Sequence, residues 1–461
     1  MKTKNGIAML LTVGVIVALG VTPAGRMARA AEADTNELAD IVVTAQRTSE
    51  PLSKVPISIA VVSGATLADE NITDYADLSR AVPNVSFTTF GGPGQSNIEI
   101  RGVSLQAGSA TTGIYLDDVP ISVLNIYTQP DLNKVSGSVH SSVGGTQGGG
   151  VNYEGDSVIN LPLVDGVAAL RIGALYDHES GWIDRASPDG GIVARNINDV
   201  NTAVIRATVK IQPTEALTIT PSVFLQRVTA GGQDLFGLSL PDFESPTLVA
   251  ETSRDEFAIT SLTVNYDFGW SDLPSVSGFF SRRDDRNIDG TVYDSQYLGS
   301  SLQQEFGYGG AAISALAAPV QFNTGVNQFH QEVRLASKPQ GPDDHWAWIG
   351  GVYYSRTRTS LLDNEHIPGL TSTFESVYGD TPQNLLGASF PDDLIYCALS
   401  EFVNTEKAVF GQVTYTVLPG LKVTAGARYE EASEGRVCRS PPMAITVVER
   451  SRSQAPPRGM R

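Results

Sequence analysis

A strict alternation of apolar and polar residues constrains this chain more than any other feature. In one segment Ile205, Val209 and Ile211 share one parity, while Arg206 and Thr208 share the other. Successive side chains of a strand point to opposite faces, so this pattern predicts long antiparallel strands with one apolar and one polar face. About eleven such segments follow residue 135, and no window there shows the 3.6-residue period of an amphipathic helix.

The links between these segments alternate in length. The short links lie near residues 163–166, 212–216, 270–274, 337–344 and 418–420. The long links lie near residues 181–199, 229–254, 287–325 and 360–404. Short and long links in strict alternation, on strands with polar side chains inside and apolar side chains outside, are typical of an outer-membrane β-barrel with tight periplasmic turns and long external loops.

Composition limits the kinds of partner. A net charge of −18 and a pI near 4.7 argue against a nucleic-acid partner, because binding phosphates requires clustered Lys and Arg. Partners should be neutral, cationic or metal-bearing. Five scattered His, no zinc-type spacing, no nucleophile elbow and no phosphate loop predict neither an enzyme nor a bound cofactor or metal.

The N-terminus has the layout of a secretory signal peptide over residues 1–30. Lys2 and Lys4 precede the apolar run Ile7 to Val21, and Ala28 and Ala30 form a small-x-small cleavage site. The alternative is a membrane anchor, for which the run is short. Export would place the rest of the chain in an oxidising compartment.

Two stretches between the signal peptide and the strands carry motifs. The first is a β-branched run after an acidic residue, suited to adding a strand to a partner's sheet edge: Asp40, Ile41, Val42, Val43, Thr44 and Ala45. The second, from Ile98 to Pro120, is a hairpin-like unit of two short strands around a small-residue loop. Its marked residues are Arg101, Gly102, Tyr115, Leu116, Asp117, Asp118, Val119 and Pro120.

These stretches resemble the family of TonB-dependent outer-membrane receptors, whose plug domain has an "IRG" strand followed by a "YLDDVP" strand. The resemblance implies that residues 40–45 are the box that binds TonB, the alternative being an ordinary first plug strand. It implies a mainly β fold, with an N-terminal α+β plug domain and then an antiparallel transmembrane β-barrel holding about half of the family's 22 strands. The implied segments are 31–50 periplasmic arm, 51–134 partial plug, 135–434 partial barrel and 435–461 atypical tail.

The chain departs from the family pattern in two places. After Gln129 to Leu132 it passes directly to Asn133, where the family continues through a "VERVEVLRGPQGTLYG" segment. A deletion between short repeats, a gene-model error or a divergent plug would each produce this gap. After Glu434 the alternation stops, which indicates either a frameshifted or truncated end or a small barrel with a disordered tail. We therefore expect an incomplete receptor, unable to transport alone.

The resemblance also implies a function. An intact relative takes up a scarce nutrient, such as a ferric siderophore, at the external face, with energy supplied by TonB and its inner-membrane energising complex. The expected partners are TonB, outer-membrane lipid and the small-molecule ligand, and the expected location is the cell outer membrane. The rival hypotheses are a passive porin-like barrel and a non-functional remnant of a receptor gene.

Four further groups of residues have competing interpretations. The alternation of short and long links puts both Cys397 and Cys438 on the external side. In an oxidising compartment they could form a disulfide, and the alternative is two separate thiols. Glu332 and Arg334 share a face and predict a luminal ion pair. Asp284 and Asp285, among arginines, predict a solvated strand rim. Asp117 and Asp118 are a paired carboxylate, for which shaping a strand end is favoured over acid–base chemistry.

Overall fold

The computed structural model describes residues 129–238, 240–338, 344–418 and 421–439, together with short segments between residues 42 and 121. The N-terminal segments hold one helix and three antiparallel strand pairs. In chain order these are β1 (Val42–Val43), β2 (Glu50–Pro51), α1 (Tyr75–Ala81), β3 (Val85–Thr89), β4 (Ser96–Ile100), β5 (Ile114–Leu116) and β6 (Val119–Ile121). β1 pairs with β2, β3 with β4, and β5 with β6. Val62, Leu78 and Val82 form a small buried core around α1.

An eleven-stranded antiparallel sheet follows. Its strands, with three short strands between them, are β7 (Ser136–Gly145), β8 (Val151–Val164), β9 (Ala168–Glu179), β10 (Asp184–Ala186), β11 (Ile192–Ala194), β12 (Val200–Thr214), β13 (Leu217–Ala230), β14 (Glu244–Ser245), β15 (Ser253–Asp267), β16 (Ser271–Asp289), β17 (Pro319–Ser337), β18 (Trp346–His366), β19 (Leu394–Leu418) and β20 (Leu421–Arg439). β10, β11 and β14 form a separate small sheet. The other eleven strands each pair with their neighbours in the chain, from β7 to β20, as the alternation predicted.

The two ends of the large sheet carry different links, as predicted. Residues 165–167, 215–216, 268–270, 338–345 and 419–420 connect strands at one end, which we call the turn end. The links at the other end, the loop end, include residues 180–199, 231–252, 290–318 and 367–393. Gly166 and Gly269 take positive φ values of 68° and 83° in the short links, a conformation that costs glycine least.

The two faces of the sheet differ in exposure. Ile205 is 52% exposed, and its ladder partner Leu225 is 43% exposed, whereas the neighbouring Arg206 is 4% exposed. We call the face with Ile205 the outer face and the face with Arg206 the inner face. The outer face continues across the sheet through exposed apolar side chains, including Leu262, Phe279, Phe329, Val352, Val409 and Tyr429. The predicted alternation is therefore confirmed.

The inner face is not uniformly polar, which corrects the expectation of a polar interior. A buried apolar cluster lies on it, made of Val204, Phe224, Phe257, Ile259, Val276 and Phe280. The ring centroids of Phe224 and Phe257 are 5.5 Å apart, and those of Phe257 and Phe280 are 6.0 Å apart. At these positions both faces of a strand are apolar, as in the pair Phe279 and Phe280, so no alternation marks them.

Two long links combine into a helical cap at the loop end. It contains a π-helix (Val292–Gln296), α2 (Tyr297–Phe306), α3 (Gly310–Ser314), α4 (Leu370–Tyr378), α5 (Pro382–Leu386) and a 3₁₀ turn (Pro391–Asp393). Its core is fully apolar and consists of Leu302, Ile313, Ala318, Ile367, Leu370, Phe374, Ala388 and Phe390. Gly299 and Gly310 let α2 and α3 approach so closely that a Cβ on either would meet the other's backbone. The sequence predicted only loops here.

Phe279 and Phe280 offer a matched test of the two faces. Phe280→Ala should lower the free energy of unfolding by about 3–5 kcal/mol, because it empties space in the inner cluster. Phe279→Ala should cost about 1 kcal/mol, since that side chain is 44% exposed. Urea unfolding of the detergent-solubilised chain, followed by tryptophan fluorescence, measures both. Equal losses would contradict the assignment of the faces.

Candidate functional site

The inner face becomes charged above the apolar cluster, towards the loop end. Asp255 and Asp284 lie directly opposite each other on β15 and β16. Arg282 donates from Nε and Nη2 to the two carboxylate oxygens of Asp255, each at 2.8 Å, and Arg286 donates from Nε to Asp284 Oδ1 at 3.0 Å. Each arginine thus offsets the repulsion between the two carboxylates, and such bidentate pairs are strong and directional.

This network corrects the predicted solvated rim. Asp284 is only 6% exposed because it lies on the inner face. Asp285 lies on the outer face, where it pairs with the exposed Arg283 at 2.7 Å. The acidic pair therefore splits across the sheet, with one member buried in a network and the other at the surface.

The predicted luminal ion pair is confirmed. Arg334 Nη1 donates to Glu332 Oε1 at 3.1 Å on β17, and the side chains are 15% and 14% exposed. Both lie on the inner face with His330, which is nearly fully buried. The imidazole of His330 covers Gly278 on β16, and a Cβ at position 278 would overlap the ring.

A carboxyl cluster joins the helical cap to the sheet. Asp294 of the π-helix hydrogen-bonds to Glu365 near the end of β18, and Asp363 lies on the same strand face. Burial, reinforced by the charge of Asp294, raises the pKa of Glu365 to about 7. Burial also raises the pKa values of Asp294 and Asp363. Residue patterns held no signal for this cluster, because Asp294 comes from the link after β16 whereas Asp363 and Glu365 come from β18, about 70 residues further along the chain.

The loop end also exposes aromatic side chains. Tyr293, Tyr297 and Tyr308 of the helical cap are 83%, 73% and 55% exposed. Tyr378 anchors this region by donating from its hydroxyl to the carbonyl of Tyr308 at 3.1 Å. The cap therefore has a rigid apolar interior and an accessible aromatic surface.

The N-terminal motifs are described only in part. Val42 and Val43 of the predicted box form β1, with Val42 opposite Pro51 and Val43 opposite Glu50. Tyr115 and Leu116 lie in β5, and Val119 and Pro120 lie in β6, which approaches β16 of the large sheet. The remaining motif residues lie outside the described residues: Asp40, Ile41, Thr44, Ala45, Arg101, Gly102, Asp117 and Asp118.

The candidate disulfide is not formed. Cys397 is a free thiol, and the β19–β20 ladder places Cys438 opposite Ser400. The three-residue offset along a strand amounts to about 10 Å, whereas a disulfide needs Cα atoms within about 7 Å. Loop parity brought the two residues to one end of the sheet but could not fix the register.

Comparison with known proteins identifies the N-terminal region. Residues 51–158 match the TonB-dependent receptor plug domain. In the described part of the chain, no helix has the length and apolarity to cross a membrane. A plug followed by a long antiparallel meander is the architecture of a plugged outer-membrane β-barrel.

Solved structures share this fold. The ferric yersiniabactin uptake receptor FyuA from Yersinia pestis is similar with a TM-score of 0.58 and 15% identity, over 82% of this chain and 60% of its own. The ferripyoverdine receptor of the outer membrane of Pseudomonas aeruginosa gives a TM-score of 0.58, 11% identity and coverages of 87% and 56%. The ferric citrate transporter FecA gives a TM-score of 0.54 and 11% identity, over 82% of this chain and 56% of its own.

The family match covers residues 51–158, and the large sheet has the fold of these solved receptors. The chain spans 60% of the length of the first of these solved receptors and 56% of the other two.

The carboxyl cluster predicts a pH-dependent cap. The pKa of Glu365 is higher in the folded cap than in an unfolded chain, so its contribution to stability is complete below about pH 4.5 and is lost as the pH rises through about 7. Glu365→Gln should remove this decline and protect the cap at pH 8. Hydrogen exchange of α4 amides between pH 5 and 8, corrected for intrinsic rates, measures it.

Glu305→Gln is the matched control, because Glu305 lies exposed on α2 of the same cap. It should keep the wild-type pH dependence. A Glu365→Gln variant with the same pH dependence as the wild type would contradict the role of the cluster.

Proposed function

We propose that this chain belongs to a TonB-dependent outer-membrane receptor that takes up a scarce nutrient such as a ferric siderophore, and that the chain alone cannot complete transport. The observation that carries the proposal is the plug-domain match over residues 51–158, which overlaps β7 and the first half of β8 and is followed by the rest of the eleven-stranded sheet. Neighbours with this fold include a ferric yersiniabactin uptake receptor, a ferripyoverdine receptor and a ferric citrate transporter. The proposed activity is binding and transport, with no covalent step.

An apolar belt on the outer face supports a membrane location. On β16 the outer residues from Leu273 to Phe279 are uncharged, with Ser275 and Ser277 hydrogen-bonded to Gln331, and above them come Ser281, Arg283 and Asp285. Strand rise and barrel tilt give this belt a height of about 20–25 Å, close to the apolar band of outer-membrane barrels. The strands continue well beyond it, so the loop end would project outside the membrane.

Aromatic residues flank the belt as interfacial girdles do. At the turn end, Trp270 lies 6.2 Å from Trp348, and Trp346 lies 4.6 Å from Tyr415, measured between ring centroids. Nearer the loop end, Tyr153 stacks 4.7 Å from His178. Rings at both edges would fix the depth of the sheet in the bilayer, with the turn end in the periplasm.

The loop end supplies the surface for ligand. Exposed tyrosines of the cap lie at this end, and the Asp255–Arg282 network lies on the inner face below. Tyrosine rings give contact area and a hydroxyl at low entropic cost, which suits a compact chelate with both aromatic and polar parts. We propose that the ligand binds here first and then passes along the inner face.

The ladder between β1 and β2 is short, so the box could leave β2 and pair with a strand of another protein. Only Val42 and Val43 pair with Glu50 and Pro51, and a two-residue pairing is weak in isolation. We propose that TonB replaces this pairing by adding its own edge strand to residues 40–45. Force applied through that strand would then rearrange the plug and admit the ligand.

Outer-membrane insertion can be tested directly. The expressed chain should fractionate with outer membranes and migrate on gels as a compact species that shifts on boiling, because a paired barrel wall resists detergent. Leu262→Arg, in the middle of the belt, should lower insertion stability by about 2–4 kcal/mol, while Ser281→Arg above it should cost about 1 kcal/mol or less. A chain found only in the periplasm would overturn the membrane location.

The role of the box can be tested by binding of the purified periplasmic domain of TonB to the detergent-solubilised chain. Val43→Pro should weaken TonB binding at least about tenfold, because proline cannot donate to a strand ladder. Val43→Thr is the control, since it keeps the β-branch and the N–H. Equal TonB binding by Val43→Pro and the parent would contradict contact through this segment.

A further inference from the structure

Three metal-ligating side chains meet on the inner face of the β7–β8 hairpin. His140 lies directly opposite Asp156 in the ladder, and Glu154 lies two residues along on the same face. One ligand atom from each of His140, Glu154 and Asp156 lies within 4.8 Å of the others. The closest approach is 3.2 Å, between His140 Nδ1 and Asp156 Oδ2.

A fourth acidic group increases the charge at this place. Glu154 lies directly opposite Asp177 of β9, so two carboxylates face each other across the ladder. Neither β7 nor β8 contains a Lys or Arg. Within the part of the chain that the structure describes, no Lys or Arg forms an ion pair with Glu154, Asp156 or Asp177, and His140 is the sole cationic partner of Asp156.

The contrast with β15 and β16 shows what is missing. There Asp255 and Asp284 also oppose each other, but Arg282 and Arg286 bridge them. Like charges directly opposite in a sheet are destabilising unless a counter-charge lies between them. At Glu154 and Asp177 the chain places no arginine and instead places an imidazole beside the carboxylates. This arrangement is better suited to neutralisation by a bound metal cation than by a basic side chain of the protein.

We propose that His140, Glu154 and Asp156 bind a divalent first-row metal ion of the Zn²⁺ type, with Asp177 adding negative charge beside it. Zn²⁺ binds imidazole nitrogen and carboxylate oxygen at about 2.0–2.2 Å, which in a tetrahedral shell puts ligand atoms roughly 3.3–3.6 Å apart. The three ligand atoms lie within 4.8 Å of one another, and the closest pair is 3.2 Å apart. One imidazole among the ligands favours Zn²⁺ over Ca²⁺ or Mg²⁺, which prefer oxygen ligands.

Three protein ligands leave a fourth position for water or for a donor atom of a passing ligand. The site lies on the inner face, where Asp156 faces Leu175 and Leu175 in turn faces Val204 of the apolar cluster. The metal site depends only on the geometry and charge of the hairpin. The site is therefore expected whether or not TonB drives transport.

Zn²⁺ titration of the detergent-solubilised full chain tests the proposal. Both cysteines are replaced by serine in every sample, which removes thiolate binding. The chain should bind one equivalent of Zn²⁺ saturably, and Co²⁺ in its place should show visible absorption bands of a low-coordinate nitrogen and oxygen shell. His140→Ala and Asp156→Asn should each weaken Zn²⁺ binding at least about tenfold and abolish the Co²⁺ bands.

His178→Ala is the matched control, because His178 lies on the adjacent strand but on the outer face, stacked on Tyr153. It should bind Zn²⁺ as the parent does. His140 is exposed, so its replacement should leave folding intact, which the heat-dependent gel shift checks. Absence of saturable binding, or equal binding by the parent, His140→Ala and Asp156→Asn, would show that the three residues form only a His–Asp pair beside a surface carboxylate.

Discussion

The hydrogen-bond ladder between sequence neighbours is the constraint on which the rest of this structure depends. Among the described residues, nine of the eleven long strands pair with the long strand before and the long strand after them, and the edge strands β7 and β20 have one partner each, so one register fixes the next. In a bilayer, unpaired backbone groups cost several kcal/mol each, so such a wall is stable only when its ladders are continuous. Register then decides which side chains lie inside. A slip of one residue would move Arg206 to the outer face and Ile205 to the inner face.

The strands were predictable because alternation is a local property of sequence. Residue parity along a single strand is enough to put Ile205 and Arg206 on opposite faces. It also puts Glu332 and Arg334 on the same face, and neither assignment requires the partner strand. The lengths of the links then show which end of the sheet carries the short turns and which carries the long loops. Cys397 and Cys438 show the limit of this reasoning, because their separation depends on a register that residue spacing does not encode.

The features that sequence did not reveal depend on long-range packing. The helical cap takes α2 from one link and α4 from another, and its core exists only when Leu302 and Phe374 meet. The inner apolar cluster arises from residues such as Phe224 and Phe280, whose neighbours on the strand are apolar too. The split of Asp284 from Asp285 follows from strand parity, but its burial depends on Arg282 and Arg286. The plug motif lies within the plug-domain match over residues 51–158, although Arg101 itself lies outside the described residues.

The inner face combines an aromatic patch, bridged carboxylates and, at the first hairpin, carboxylates with an imidazole. These three surfaces lie at different places along one wall, and the cap stands at the loop end. In the receptor proposed above, such an arrangement would offer successive contacts of different chemistry to a ligand entering from outside. Rigid ladders hold the surfaces in place, and the weak β1–β2 pairing is the part suited to change.

We expect the outer face, and not the inner, to meet lipid over a belt that ends near Phe279. Spin labels placed singly at each position from Ser275 to Asp285 on β16, in lipid vesicles, measure this through their accessibility to oxygen dissolved in the bilayer. Oxygen accessibility should alternate with a period of two, with high values at odd positions up to Phe279 and a fall from Ser281 onward. Accessibility without that period, or with its maxima at even positions such as Phe280, would contradict it.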